Sequence, residues 1–205
     1  IILKGSLENL TTDKLQPLLS RTSRDKTVPT NINQAIQDIL KGSKALSSDQ
    51  QQVLAKIAGI WKIESAVPML LSSLQSPTAQ NQETIIAALG SFDSETVRQQ
   101  LVALTNSDQA SLRIAATRAV ASRRPIAAIP ALCKLLMGEE TREAASQMAI
   151  DFVGRKGAAE RLADEVRKLE ISADVARTIL RGVQGKGGNS ELEQAIRVAG
   201  KLENA

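Results

Sequence analysis

Apolar positions along this chain recur with a period near thirty residues. The segment Ala66-Val67-Pro68-Met69-Leu70 returns as Ala128-Ile129-Pro130-Ala131-Leu132, 62 residues on. Around each proline, Val67, Leu70, Leu71 and Leu74 map onto Ile129, Leu132, Cys133 and Leu136. That spacing of i, i+3, i+4, i+7 is the stripe of one helix face. Halfway, 31 residues on, a degenerate copy carries Leu101 and Val102 in register. A second helix in each unit shows its own triplet. Leu54, Ile57 and Ala58 recur as Ile85, Ala88 and Leu89, then as Ala116, Ala119 and Val120. Units of this length are stacked helix pairs rather than a closed globule. The pattern predicts an all-α fold, a right-handed α-solenoid of antiparallel helix pairs with about twelve helices.

Turn and capping residues divide the chain. A first helix is expected over residues 11–21, followed by the polar stretch from Arg21 to Lys26 and by Val28-Pro29. Thr30 or Asn31 then caps a helix with Ile32, Ala35, Ile36, Ile39 and Leu40 on one face, stopped by Gly42. Ser47-Ser48-Asp49-Gln50 is a capping box that opens the next helix. Gly59 and Gly90 read as C-terminal stops, with Trp61 and Phe92 just past them to plug the gap between layers. Arg123 takes that place in the third copy. A fourth copy is shifted to a spacing of 29, so that Arg142-Glu143-Ala144-Ala145 answers Arg113-Ile114-Ala115-Ala116 and Phe152 takes the Trp61 place. Pro68 and Pro130 belong in the first turns of their helices, or mark a bend there, because an interior proline loses a hydrogen bond and clashes. Beyond Gly157 the repeat weakens. Helices are expected at 157–169, 172–183 and 190–202, with Gly185-Lys186-Gly187-Gly188-Asn189 as a turn or, alternatively, a linker to a poorly ordered 190–205; the 3–4 spacing of Leu192, Ile196 and Ala199 favours a packed last helix. The organisation is one domain: an N-terminal helix and linker over 1–29, then a repeat array over 30–205, clearest at 48–155 and degenerate over 156–205.

Composition removes most chemistry. The chain has 205 residues, no His, no Tyr and a single cysteine, Cys133. Ser-His-Asp and Cys-His catalysis, His-ligated metals and haem attachment are therefore excluded within it. No cofactor is implied. Cys133 occupies the Leu71 register and reads as a small buried hydrophobe. Glu139-Glu140 and Asp164-Glu165 are carboxylate pairs on helix surfaces, and Asp151 is an acid following an alanine-rich face. None has the surroundings that a catalytic acid needs, so no enzyme activity is expected. The Gly185–Gly188 tract lacks the strand and the G-K-[ST] ending of a phosphate loop. The first residues, Ile1-Ile2-Leu3-Lys4, show neither an initiator Met nor a signal-peptide organisation, and the chain reads as a piece of something longer. No apolar run is long enough to span a membrane.

Charge adds one candidate surface. The formal net charge is +4, but residues 113–168 hold 11 basic and 7 acidic side chains, against 3 and 6 in residues 45–112. Within the basic stretch, Arg113, Arg118, Arg123, Arg124 and Arg142 form the densest cluster. Arg113, Arg118 and Arg142 lie on second helices of adjacent units and are expected on one side, as a partner-binding row. Asp108 and Glu143 are near enough in sequence to neutralise it.

The pattern A-x-P-x-L-x-x-L-L, a turn, then D-x-x-x-x-R-x-A-A-x-x-A resembles a HEAT repeat. Its first helix is spelled by Ala128-Ile129-Pro130-Ala131-Leu132, its second by Asp108, Arg113, Ala115, Ala116 and Ala119. Gln82 stands where Arg113 stands, so the family's Asp–Arg ladder is incomplete. The tail Ile171-Ser172-Ala173-Asp174-Val175-Ala176-Arg177, then Leu180-Arg181-Gly182-Val183, resembles a run in large bacterial proteins. These join a sugar-dehydrogenase-like propeller, a HEAT-like region and a c-type haem domain with a CxxCH motif. That resemblance implies a spacer before the haem domain, in an exported or periplasmic protein; the compartment is otherwise unknown.

Period, composition and charge together imply a non-catalytic protein-interaction or interdomain spacer module, partnered by neighbouring domains or a protein segment. The alternative is an anionic-ligand or nucleic-acid-binding HEAT-like protein with a basic groove. Helical-repeat DNA glycosylases line such a groove with aromatic residues, whereas here the only Trp, Trp61, sits at a packing position. HEAT-like metal hydroxylases need His ligands, which the chain lacks.

Overall fold

The computed structural model describes residues 19–20, 32, 34, 36–37, 46–75, 81–155 and 157–202. Among them are ten α-helices and one 3-10 turn, with no strand. In chain order the helices are α1 (Ser48–Trp61), α2 (Val67–Leu74), α3 (Gln82–Leu89), α4 (Glu95–Leu104) and α5 (Ala110–Arg123). There follow α6 (Pro125–Met137), α7 (Arg142–Asp151), α8 (Ala158–Val166), α9 (Ala173–Gly185) and α10 (Ser190–Ala199). The all-α expectation holds, and the helix pairs are of the HEAT-type α-solenoid class. The expected first helix over 11–21, the linker before Thr30 and the stop at Gly42 lie outside the described residues, although Leu19, Ser20, Ile32, Gln34, Ile36 and Gln37 are helical.

The chain divides into two compact units, residues 1–100 and 101–205. In the first unit α1 packs on α3, and α2 on α3. Ser47 caps α1 as the sequence predicts: its side chain accepts from the Gln50 N–H at 3.3 Å, while Gln50 Oε1 accepts from the Ser47 N–H at 2.9 Å. Asn81, just before α3, donates from Nδ2 to the carbonyl and to Oγ of Ser48 at 2.6 and 2.7 Å. The start of α3 is thereby tied to the start of α1.

Gly59 does not end α1. The helix runs on to Trp61 and turns at Lys62, a left-handed residue with φ 52°. Gly59 serves packing instead: a Cβ there would stand 2.9 Å from the Ala88 Cα on α3. Gly90 does cap α3, but in the right-handed region at φ −57°. It needs no glycine-only conformation.

In the second unit the helices form two rows. The first helices α6, α8 and α10 pack in sequence, as do the second helices α5, α7 and α9. The rows meet through α5 on α6, α6 on α7 and α9 on α10. Arg124 alone links α5 to α6, because Pro125 forces the preceding residue out of helical geometry and then starts the new helix. This early start corrects the proline expectation. Pro68 does lie in the first turn of α2, but Pro130 is interior to α6. The missing N–H leaves the Ile126 carbonyl without its helical partner. Both residues are exposed, so solvent meets that carbonyl.

The repeat also continues past 155 in better order than its residue types suggest. The buried stripe Ile129, Leu132, Cys133, Leu136 returns as Ala159, Leu162, Ala163, Val166 and again as Leu192, Ala195, Ile196, Ala199. The last helix is packed, as expected. In the opposite sense, Val102 fails its register: α4 buries Val97 and Leu101 and leaves Val102 53% exposed.

The close approach at Gly59 generates a prediction. Gly59→Ala should lower stability by about 1–3 kcal/mol, since overpacking against backbone outweighs the propensity gain. Gly185→Ala, with nothing within 4 Å of the added methyl, should raise it by up to about 1 kcal/mol. Urea midpoints of the two variants check the contrast.

Candidate interaction surface

The arginines singled out by sequence have different environments. Arg113, in the first turns of α5, is half-buried and folds back on the loop before its own helix. Its Nη1 donates to the Ser107 and Asp108 carbonyls, both at 2.9 Å. The anticipated pair with the Asp108 carboxylate is thus replaced by a main-chain tie. Arg118, further along α5, and Arg142, the first residue of α7, are exposed. At 3.6 residues per turn, Arg113 and Arg118 stand about 140° apart around α5. They do not share one strip. Two exposed guanidinium groups on neighbouring second helices remain, with Arg113 shaping the loop beside them.

Other charges are joined locally. On α8, Asp164 faces Arg161 at 3.9 Å and Arg167 at 3.6 Å, and Glu165 meets Lys168 at 2.9 Å. Glu139 and Glu140 are exposed in the turn before α7. Asp151, which ends α7, pairs with Lys186 beyond α9 at 2.5 Å and accepts from Gln147 at 3.4 Å. The Lys186 hydrogen bond, and then its charge, hold this carboxyl below its ordinary value against the opposing effect of partial burial. Asp151 therefore fastens two second helices together. Lys186, from the glycine tract, is its partner.

Arg155 was not legible as a functional residue in the sequence. Its Nη1 donates to the Ala121 carbonyl on α5, and its guanidinium lies over the Phe152 ring, 5.6 Å from the centroid. Phe152 itself is buried in the place of Trp61, as the shifted fourth copy predicts. An Arg three residues after that aromatic was the available signal. Cys133 is buried among α6 and its neighbours, and burial pushes the thiol up to about 11. Among the described residues no group of three or more His, Cys, Asp or Glu side chains could hold a metal ion. No described helix is long and apolar enough to cross a membrane.

A family model described as HEAT repeats matches residues 36–121 and again residues 67–151, so the two matches begin one period apart. With more than half of the chain covered, it belongs to the HEAT repeat family. No curated protein and no solved structure matches it.

The environments of Asp151 and Cys133 each lead to a measurable outcome. The Asp151 carboxyl is depressed in the folded state, so the pair stabilises above the ordinary carboxylate value near 3.9. That contribution fades as pH falls through the lower folded value. The two side chains are 45% and 46% exposed, which limits the pair to about 0–1 kcal/mol. Asp151→Asn should thus cost less than about 1 kcal/mol at neutral pH, and the gap to the parent should close in urea titrations at decreasing pH. For Cys133, a thiol near 11 is only about one part in a thousand thiolate at pH 8. Alkylation of the native chain should run at least ~100-fold slower than in denaturant.

Proposed function

We propose that the chain is a non-catalytic module that spaces neighbouring domains or receives a protein segment. The observation that carries this reading is the column order of the second unit. Equivalent residues of successive helices are buried together, as in Ala145 with Ala176, Met148 with Ile179 and Ala149 with Leu180. Between them, Glu143 with Asp174 and Gln147 with Thr178 are exposed in register. Such a surface suits an extended partner that contacts several units at once. Membership of the HEAT repeat family supports it.

For the partner we propose an acidic protein segment engaged by Arg118 and Arg142, with Arg113 holding the loop before α5 in place. The supporting facts are the exposure of the first two and the excess of basic side chains over 113–168. The alternative anionic ligand, a nucleic-acid backbone, has the same electrostatic requirement but a steeper salt dependence.

We propose further that the segment is the spacer region of a large bacterial protein carrying a sugar-dehydrogenase-like propeller and a c-type haem domain. The support is the Ile171–Val183 run, which supplies the Ser172 cap and the buried face of α9. A CxxCH within about a hundred residues downstream in the parent gene, the span of one domain, is the expected finding.

Fluorescence titrations test the surface. A labelled oligoglutamate peptide should bind at low salt, and Arg118→Ala/Arg142→Ala should weaken it about threefold or more. Tighter binding of duplex DNA, with a steep salt slope, would favour the alternative. Binding of neither would leave the spacer role alone.

A further inference from the structure

We propose that the outer face of α6 is a self-association site, on which a second copy of this chain lays its own α6 antiparallel. Helix α6 lies inside the second unit, with α5, α7 and α8 packed on it. Its remaining face is apolar. Ile126 is 52% and Met137 57% exposed, and Pro130 between them is exposed as well. At 3.6 residues per turn these three stand within about 40° of one another and form a stripe about 16 Å long. Lys134 lies to one side of the stripe, where its ammonium donates to Asn106 Oδ1 at 2.9 Å. In the next first helix, α8, the places of Pro130, Lys134 and Met137 carry Glu160, Asp164 and Arg167, all exposed. The stripe is therefore particular to α6 and is not a property of the repeat.

The charges at the two ends of α6 identify the occupant. Two exposed arginines, Arg123 and Arg124, precede the helix, and two exposed glutamates, Glu139 and Glu140, follow it. Stripe and charges share one midpoint, between Ala131 and Leu132. Counted outward from it, Ile126 and Met137 are each sixth, Arg124 and Glu139 eighth, Arg123 and Glu140 ninth. A two-fold axis through that point sets Ile126 against Met137 of the second copy. It also sets the arginines of each copy against the glutamates of the other, an isologous contact that is self-complementary. A parallel arrangement would bring like charges together.

The Ile126 carbonyl left open by Pro130 stands at the end of the stripe, where water at the rim still reaches it. One helix face is smaller than the ~800 Å² per partner of a standard interface, so the pair is weak and reversible. The site goes beyond the partner surface proposed for Arg118 and Arg142, which lie on α5 and α7.

Sedimentation equilibrium at low salt tests the pairing. The mass of the parent should rise toward twice that of one chain as its concentration approaches about 1 mM, the weak end of the affinity scale. Ile126→Gln/Met137→Gln should keep the mass of one chain. Arg123→Glu/Arg124→Glu makes both ends acidic, and Glu139→Lys/Glu140→Lys makes both basic. Each alone should associate at least about tenfold more weakly than the parent, because like charges then meet. An equimolar mixture of these two variants should recover the parental association, and adding the two glutamine changes to both should abolish it. Circular dichroism melting confirms that each variant is folded. A parent that keeps the mass of one chain throughout would overturn the site. So would parental association of the glutamine variant or of either charge variant alone, or a mixture that associates no more tightly than its components.

Discussion

The structure depends on how closely the second helices can approach one another. The α1–α3 contact closes at Gly59 against Ala88, where there is no room for even a methyl group. In the second unit the equivalent contact is made by Ile150 folded over Gly182. One partner is small in each case, and the other fills the space released. With the backbones near each other, Ala side chains suffice to exclude water, and large rings are needed only at helix ends. Trp61, Phe92 and Phe152 are all buried there. The near absence of aromatics follows from this geometry, because a wide core of rings would push the helices apart and waste the glycine contact.

Close packing of inward columns has an electrostatic counterpart outside. Long side chains are pushed to the exposed columns, where neighbours three residues away usually carry the opposite sign. Arg161 and Asp164 on α8 with Arg167 just past it, and Asp174 with Arg177 on α9, are joined in this way. Such pairs contribute little to stability. They do offset one another's field locally, whereas Arg118 and Arg142 lie outside these pairs. Arg113 looks similar in sequence but is held by two carbonyls of its own loop.

What could be read from sequence was periodic, and what could not was local. The stripe around Pro68 and Leu70, the capping box at Ser47 and the place of Phe152 rest on spacing alone, and the structure keeps them. Helix ends were harder. Gly59 looked like a stop because glycine favours ends, but its value lies in a contact with a residue 29 positions away in the chain, which no local pattern reveals. Pro130 matched Pro68 by register, yet Pro125 moved the start of α6 forward and left Pro130 inside. The tail obscures its repeat for a third reason. Ala159, Ala163 and Ala195 fill the stripe where Ile and Leu stood earlier, so the columns persisted while their hydrophobicity fell. Within the expected arginine row, Arg113 and Arg118 stand on different sides of α5, since five residues carry a side chain about 140° round a helix axis. Arg155 has only its spacing from Phe152 to mark it in the sequence, since its other partner is a main-chain carbonyl.

The single-residue corner at Arg124 bears on how the chain reaches this state. Helices α5 and α6 are joined with no slack, and Pro125 fixes one side of the joint before any packing occurs. Closing so short a connection costs little chain entropy. Contacts between these two helices are therefore the most local interhelical contacts among the described residues, and local contacts form fastest. The α5–α6 hairpin is placed to act as the seed on which α7 and later helices accrete. The order of folding would then run outward from the corner rather than from either end of the chain.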